Sequence, residues 1–381
     1  MPYNRCLIAD FLGGSRTQTQ VHTKGEQFFV DNNIELMLDC EVISMNVDAK
    51  TVMLHNGTTL SYDALLIATG RSAFVPSDLV IPGMSFVTPD LDPGRDPINS
   101  PPIFPFYDLS HAQNILEFID GRPNLHALVV GGGISGLECA DALIQRGVKI
   151  TMIERGQHLL PRQMDEGGAQ FLQNLMSSQG VTVYCSTTIK EIEKKNKHNV
   201  ALNNNKSLEV DLIIAATGGR QNLQFAQEAG INCDEFGIIV DQYQATNFDE
   251  IYAAGDVCSV NDLLTGKPTS STLWPDAVAQ GLSAAHSIAL YLLTSDEHAR
   301  LPSKPYAGTL NITSTNIFGT TLVTGGDFGA LENVETLTKQ EDGFYHCLYV
   351  KDGILQGFVM VGNVTGVGQL RKAMIDKTRI V

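Results

Sequence analysis

The sequence predicts an α/β fold followed by a smaller α+β block, and three observations carry that prediction. An apolar strand, a glycine-rich turn and a helix follow one another directly at 126–147. Short apolar runs end in Thr-Gly or Gly-Asp at 64–70, 209–219 and 251–257, which is typical of buried strands in a parallel sheet. The last block, 306–381, contains several strand-like runs instead. Alternating strands and helices indicate a sheet with helices on its faces.

The segment 126–184 contains the clearest strand–helix–strand unit. The run "HALVVGGG" is a buried strand that enters a turn, and "ISGLECADALIQRG" is a helix closed by Gly147. The run "KITMIERG" is the second strand of the unit. A helix over 165–179 and a strand over 181–184 continue the pattern.

The flanking segments predict strands, a loop and further helices. Residues 34–70 alternate in hydropathy, turn at Asn56-Gly57 and end in "ALLIATG", so we expect β structure throughout. Residues 85–106 hold six prolines, each of which removes a backbone donor, so we expect a loop or a domain boundary. Helices are predicted over 110–121, 274–293 and 366–376.

Composition and charge exclude several classes of function. The net charge of −16 disfavours nucleic-acid binding, which needs clustered Lys and Arg. No apolar run approaches the roughly 18 residues that cross a bilayer, and the start lacks the pattern of a signal peptide. We therefore expect a cytoplasmic protein without membrane insertion. The seven cysteines show no metal-binding or disulphide spacing, so we expect no metal site and reduced, packed thiols.

The glycine-rich turn at 131–136 predicts a dinucleotide site. Gly131 permits the tight turn, Gly133 lets the backbone approach a pyrophosphate, and Gly136 lets helix and strand pack closely. The helix N-terminus then offers free N–H groups to phosphate. Glu154 ends the second strand, where an acid accepts hydrogen bonds from a ribose 2′-hydroxyl, so we expect NADH rather than NADPH, although Arg155 follows it. The predicted contacts are Gly131, Gly133, Ile134, Ser135, Gly136, Glu154, Arg155 and Gly218.

Glu138 lies near the start of the same helix and has two interpretations. An acid near a helix N-terminus is stabilised by the helix dipole and needs no further role. The alternative is a catalytic-site role in which Glu138 accepts a hydrogen bond from the nicotinamide amide.

The segments around this unit resemble a known enzyme superfamily. "ALLIATGRSAFVP", "DLIIAATGGRQN", "IYAAGDV" and "WPDAVAQGLSAA" look like the FAD-dependent pyridine nucleotide–disulphide oxidoreductases. "PYNRCLIADFLGG" and "VKDGILQGFVMVGNVTGVGQL" resemble the branch with rubredoxin reductase, ferredoxin reductase, the nitrite reductase flavin domain and NADH oxidase. The resemblance covers nearly the whole chain. It implies two Rossmann-like dinucleotide-binding domains, the FAD domain being discontinuous, and a small α+β C-terminal domain.

The resemblance also implies FAD contacts in this sequence. Asp256 would accept a hydrogen bond from the flavin ribityl chain, and the helix that begins near Trp274 would point its N-terminus at the pyrimidine end of the flavin. The alternative for each position is an ordinary loop or strand-end residue. The implied FAD contacts are Arg5, Val42, Ala68, Thr69, Gly70, Arg71, Gly255, Asp256 and Trp274.

One departure from the superfamily concerns the start of the chain. Members begin with their own G-x-G-x-x-G strand–turn–helix for FAD, whereas this sequence has that motif only at 131–136. We therefore expect a sequence truncated at its start, the alternatives being a misassigned start or weakened FAD binding. The domains implied are a FAD-binding domain over 1–109 and 240–298, an NAD-binding domain over 110–239, and an interface domain over 299–381.

The resemblance implies that hydride passes from NADH to the flavin and that electrons pass on to a protein or small-molecule acceptor. No CxxxxC pair is present, which disfavours dithiol chemistry. One alternative is an NADH oxidase or coenzyme A disulphide reductase that uses Cys6 as a single redox thiol. The competing interpretation of Cys6 is a packed helix residue without a redox role. Another is a non-catalytic NAD-binding or scaffolding subunit. The expected assembly is a homodimer or one subunit of a complex.

Overall fold

The computed structural model describes residues 1–76, 79, 103–194, 197–293, 304–326 and 334–380. The chain forms two units, which we call the smaller and the larger unit. The smaller unit comprises Met1, Lys24–Ser72 and Arg220–Asn311. The larger unit comprises Pro2–Thr23, Ala73–Gly219 and Ile312–Val381.

Helices and short strands alternate over 103–184, and elsewhere the strands follow one another in runs. A 3-10 turn over Arg5–Leu7 precedes the first helix. The described helices are α1 (Ile8–Gly13), α2 (Gln18–Val21), α3 (Glu26–Asp31), α4 (Leu109–Ile119), α5 (Ile134–Gln145), α6 (Glu166–Ser178), α7 (Gln224–Glu228), α8 (Trp274–Leu292) and α9 (Val367–Ile375). The described strands are β1 (Val42–Asn46), β2 (Thr51–Leu54), β3 (Thr59–Ser61), β4 (Leu65–Ile67), β5 (Arg71–Ala73), β6 (Ile103–Pro105), β7 (His126–Val130), β8 (Lys149–Ile153), β9 (Thr182–Tyr184), β10 (Ile189–Lys194), β11 (His198–Leu202), β12 (Ser207–Val210), β13 (Leu212–Ala215), β14 (Gly219–Gln221), β15 (Ile238–Ile239), β16 (Ile251–Ala253), β17 (Cys258–Asn261), β18 (Pro268–Ser270), β19 (Ile312–Ile317), β20 (Thr320–Gly325), β21 (Glu335–Glu341), β22 (Phe344–Lys351) and β23 (Ile354–Val361).

A five-stranded parallel sheet in the larger unit matches the predicted strand–helix–strand pattern. Its strand order is β6-β13-β7-β8-β9, and every pair is parallel. The central strands are almost wholly buried because their apolar side chains pack among helix residues on one face and among residues of strands β10, β11 and β12 on the other. Helix α4 starts where predicted, since the Asp108 carboxylate accepts the backbone N–H of His111 at 2.9 Å.

The proline-rich segment 85–106 contains a strand that we did not predict. Residues Ile103–Pro105 form β6, a buried edge strand that pairs in parallel with β13. Proline is tolerated here because an edge strand leaves one side of its backbone unpaired. The expectation of a loop is therefore wrong for 103–105, and residues 85–102 lie outside the described residues.

The end of the chain forms an antiparallel sheet in the larger unit, as the predicted α+β block requires. Its strand order is β19-β20-β23-β22-β21, and α9 follows the last strand. Strand β22 alternates between half-buried and buried positions along most of its length. The edge strand β21, by contrast, is exposed at all seven residues.

The smaller unit holds shorter strands and the long helix α8. Strands β1, β2 and β3 form an antiparallel meander that turns at Asn56-Gly57, as predicted. Strands β4 and β16 form a parallel pair, and β15, β17 and β18 form a third small sheet. No helix among the described residues has both the length and the apolar character needed to cross a membrane.

The strand predicted over 34–41 is not formed, so this part of the prediction is wrong. The segment is apolar in alternate positions, yet Ile34 is 46% exposed and Leu38 is 50% exposed. A strand requires a hydrogen-bonded neighbouring strand, and no described strand pairs with 34–40. Glu41 alone extends the pairing of β1 with β2, since its carbonyl accepts the backbone N–H of His55 at 2.8 Å. The alternating hydropathy of this segment therefore does not produce a strand.

Candidate functional site

The glycine-rich turn between β7 and α5 has the geometry of a phosphate-binding loop. Gly131 has φ +113°, and a Cβ there would lie 2.4 Å from the carbonyl oxygen of Ala216. A Cβ on Gly136 would lie 2.0 Å from the carbonyl oxygen of Gly131. These two glycines are therefore required by close backbone packing.

Gly133 differs from the other two glycines of the motif. A Cβ built on it meets nothing within 4 Å, so the space beside its backbone is open. Ile134 and Ser135 follow as the first residues of α5, and the side chain of Ser135 is exposed. The loop thus presents backbone N–H groups at a helix N-terminus to open space, the arrangement that binds a pyrophosphate.

Glu154 follows β8 and is hydrogen-bonded to the backbone of this loop. Its two carboxylate oxygens accept the backbone N–H of Gly132 and of Gly156, each at 2.6 Å. Glu154 is 8% exposed, whereas the next residue, Arg155, is exposed. Sequence reasoning identified the acid but not these two donors, because a strand-end position does not reveal which backbone groups surround it.

Glu138 contacts the C-terminal sheet. The hydroxyl of Thr315, on β19, donates to Glu138 Oε1 at 2.7 Å. Burial raises the pKa of the Glu138 carboxyl, and the Thr315 hydrogen bond opposes that shift. Glu138 thus already joins α5 to β19, and acceptance of a nicotinamide amide stays a prediction.

Gly218 lies after β13 in the larger unit. It has φ +87°, and a Cβ on it would meet nothing within 4 Å. Strand β13 is parallel to β7, so Gly218 follows the same edge of the sheet as the turn at 131–136.

In the smaller unit, two parallel strands bring several of the predicted FAD contacts together. Strands β4 and β16 pair in register, Leu65 with Ile251 and Ile67 with Ala253. Ala68, Thr69 and Gly70 follow the first strand, and Gly255 and Asp256 follow the second. Because carboxyl ends of parallel strands share an edge, these two short segments lie together, at the edge where open α/β sheets bind ligands.

Helix α8 is attached to this edge by a residue that we did not predict. The buried side-chain oxygen of Gln280 accepts the backbone N–H of Gly255 at 2.8 Å. The Nε2 of Gln280 is buried without a hydrogen-bond partner among the described residues. Trp274 is the first residue of α8 and is 39% exposed. A glutamine in an otherwise apolar helix is the signal that could have identified this position.

The first turn of α8 is ordered by Asp276. Its Oδ2 accepts hydrogen bonds from Ser271, at 2.6 Å, and from Thr309. These hydroxyl contacts fix the start of the helix near Trp274.

Three other predicted FAD contacts belong to other elements, namely β1, β5 and the 3-10 turn before α1. Val42 opens β1 in the separate meander, opposite Leu54. The Arg71 guanidinium donates to the Gln221 side chain at 3.3 Å. Arg5 belongs to the larger unit, where its guanidinium stacks on the Tyr107 ring at 3.9 Å and donates to the Tyr107 carbonyl at 2.9 Å.

Cys6 is not the packed helix residue that we expected. It lies in the 3-10 turn before α1 and its side chain is exposed. The Asn4 side chain accepts the backbone N–H of Cys6 at 2.9 Å and so caps the 3-10 turn that precedes α1. By contrast, Cys139, Cys258 and Cys347 are buried, and burial raises the pKa of each thiol.

Comparison with protein families and known proteins identifies relatives of the whole arrangement. A family model described as pyridine nucleotide-disulphide oxidoreductase matches residues 1–281. The NAD(P)H nitrite reductase of Bacillus subtilis is 26% identical over 378 residues, covering 98% of this chain and 42% of the relative. The NADH oxidase of Methanocaldococcus jannaschii is 31% identical over 296 residues, covering 75% of this chain and 62% of the relative. The chain thus spans about half the length of these two proteins.

Among solved structures, the covalent putidaredoxin reductase–putidaredoxin complex is similar over 100% of this chain and 85% of that one. The TM-score is 0.83 and the sequence identity is 20%, so this likeness shows the fold alone. The predicted α/β class with a small α+β C-terminal domain is confirmed, and the sheet of that domain is antiparallel.

Proposed function

The chain belongs to the pyridine nucleotide–disulphide oxidoreductase family, and we propose that it takes a hydride from NADH onto FAD and passes the electrons to a separate acceptor. The predicted family and enzyme class are confirmed by that membership. The open space beside Gly133, in a turn closed by Gly131 and Gly136, carries the nucleotide part of the proposal. Apart from its chain neighbours, no described residue has an atom within 4 Å of a Cβ built on Gly133, so a pyrophosphate can approach the backbone there.

The residues of the larger unit would bind and orient the nucleotide. The N–H groups at the start of α5, at Ile134 and Ser135, bind phosphate, and the electrostatic field of the helix favours the negative charge. Glu154 holds the turn in shape through Gly132. Precise placement of the nucleotide is the main contribution that a protein makes to hydride transfer.

The smaller unit fits FAD at the edge formed by β4 and β16. Gly70 and Gly255 have φ +58° and +85°. A Cβ on Gly70 would meet nothing within 4 Å, and a Cβ on Gly255 would lie 3.7 Å from the Ala277 Cβ, so the backbone there is open to a ligand. Asp256 would accept a hydrogen bond from a ribityl hydroxyl, and the start of α8 would stabilise negative charge on a reduced flavin. When bound, FAD supplies the acceptor for hydride and the donor for the next step.

We further propose that the FAD-binding domain spans 1–109 and 240–298, the NAD-binding domain 110–239 and the interface domain 299–381. The acceptor in this proposal is a small redox protein or a subunit of a larger assembly. Homodimerisation and cytoplasmic location belong to the same proposal.

The test uses the full 381-residue chain incubated with FAD and then desalted. We expect retained visible flavin absorbance that is bleached by NADH without oxygen. Asp256→Ala should weaken FAD retention at least tenfold (about 1.4 kcal/mol), because it removes a carboxylate at the strand end. Asp249→Ala, an exposed acid in the turn before β16, is the matched control. A chain that retains no FAD and shows no bleaching would contradict the proposal.

A second candidate function uses Cys6 as a redox thiol, and the exposure of Cys6 favours it. In this case reduced flavin would pass its electrons to a disulphide formed between Cys6 and a small thiol, releasing that thiol and the Cys6 thiolate.

Alkylation separates the two candidates. We expect iodoacetamide to label Cys6 in the native chain well before the buried thiols of Cys139, Cys258 and Cys347. Bleaching by NADH and reduction of a protein acceptor should persist after labelling. Loss of acceptor reduction in the labelled chain, matched by loss in Cys6→Ser, would instead support the thiol route.

A further inference from the structure

Two buried polar groups of the smaller unit have no direct hydrogen-bond partner among the described residues. Gln280, on the second turn of α8, is 1% exposed, and its Nε2 is one of these groups. The other is the hydroxyl of Tyr306. Buried polar groups in proteins are almost always paired, either with protein or with ordered water, because an unpaired one is costly. The two atoms therefore point to a further group between them.

Both atoms belong to one polar cluster. Burial raises the pKa of the Tyr306 phenol, and the nearby Asp276 charge raises it further. Gln280 and Thr309 oppose that shift as nearby polar groups. The Tyr306 hydroxyl thus lies close to these side chains but outside the geometry of a direct hydrogen bond to any of them.

The position of Tyr306 is fixed at two points along α8. Its backbone N–H donates to the Gln242 carbonyl at 2.7 Å, and the same carbonyl accepts the Ser283 hydroxyl of α8 at 3.4 Å. Thr309, three residues further on, donates its hydroxyl to Asp276 Oδ2 in the first turn of the helix. This attachment keeps Tyr306 beside the first turns of α8.

The groups around this position are complementary to one water molecule. The Gln280 Nε2 supplies hydrogens, the Asp276 carboxylate supplies lone pairs, and the Tyr306 hydroxyl supplies either. A buried water makes about three hydrogen bonds of this kind. We propose that one water molecule binds Gln280 Nε2, Tyr306 Oη and the Asp276 carboxylate, and that Tyr306 is thereby a positioning residue for Gln280.

The water site acts on the β4–β16 edge through the Gln280 amide. A glutamine amide can turn either its oxygen or its nitrogen toward a neighbour, and only the oxygen accepts the Gly255 N–H. With Nε2 bound to the water, Oε1 is held toward Gly255, the residue before Asp256. An effect on FAD binding rests on the proposed function, whereas the water site and the hold on Gly255 do not.

The first test needs no cofactor. A crystal structure of the full chain should show ordered density for one water between Gln280 and Tyr306. Hydrogen exchange of the Gly255 amide should become about fivefold faster in Tyr306→Phe, the effect of one net hydrogen bond. Tyr291→Phe removes the hydroxyl of an exposed tyrosine of α8 and should leave that exchange unchanged.

A double-mutant cycle shows whether Tyr306 acts through Gln280. Gln280→Leu removes the acceptor of the Gly255 N–H and should speed exchange of that amide by about tenfold. Tyr306→Phe should add nothing in the Gln280→Leu background. A tyrosine with only a structural role would add its full effect there.

The outcomes separate this inference from the proposed function. Direct contact between the two side chains, with no water between them, overturns the water site, and additive effects in the cycle overturn the positioning role. Retention of FAD should fall about fivefold in Tyr306→Phe, and unchanged retention overturns the link to the cofactor. If the unsubstituted chain retains no FAD while the exchange results hold, the proposed function fails and this inference stands.

Discussion

Replacing Gly136 with alanine is expected to destabilise the larger unit by about 2–3 kcal/mol, because an extra carbon in close-packed backbone forces a shift. The new Cβ would lie 2.0 Å from the carbonyl oxygen of Gly131, so α5 must move away from β7. Urea unfolding should show the lower stability, and hydrogen exchange should show it locally over 126–145. Binding of 5′-ADP should weaken as well, since the turn is displaced.

Gly133→Ala is the matched control in the same motif. Its Cβ would meet no protein atom within 4 Å, so we expect a loss of stability below about 1 kcal/mol, the scale of a changed helix cap. Nucleotide binding should nevertheless weaken at least tenfold, because the methyl group occupies the space proposed for the pyrophosphate. Wild-type stability in Gly136→Ala would show that helix and strand do not pack as closely as described.

Tyr345→Phe is expected to lower the free energy of unfolding by about 1–3 kcal/mol, the cost of leaving a buried polar group without its partner. The Tyr345 hydroxyl donates to Asp165 Oδ2, and Asp165 Oδ1 accepts the N–H of Gly168 to cap α6. Burial, and then this hydrogen bond, raise the pKa of the Tyr345 phenol. One hydroxyl therefore joins β22 to the start of α6.

A double-mutant cycle with Asp165→Asn isolates this interaction. Tyr345→Phe should cost less in the Asp165→Asn background, because the carboxylate that accepts the Tyr345 hydrogen bond has been replaced by an amide. Tyr184→Phe is the control, since the Tyr184 hydroxyl makes no hydrogen bond among the described residues. Additive effects of the two changes would mean that the pair contributes no coupling energy.

The nucleotide turn could be predicted from sequence because its causes are local. A buried strand, a turn that needs positive φ at Gly131 and a helix that needs close approach at Gly136 all lie within 126–145. The helix predicted over 110–121 has an equally local cause, since the Asp108 cap acts on a residue three positions away. Features whose causes lie within a few residues can be predicted from the sequence pattern.

The unpredicted features depend on residues far apart in the sequence. Thr315 reaches Glu138 across 177 positions, and nothing near either residue indicates the other. Strand β6 forms because it can pair in parallel with β13, although the segment is rich in proline. Residues 34–40 show the reverse, because their alternating pattern has no neighbouring strand among the described residues with which to pair.

The exposed edge strand β21 also has a consequence for aggregation. It ends the C-terminal sheet with open backbone groups, the feature by which sheets of separate molecules join. An antiparallel copy centred on Thr338 would place Glu335 opposite Glu341 at both ends of the new pair. Like charges directly opposite one another destabilise a ladder, so the acids at the two ends of β21 discourage the sheet from extending into a fibre.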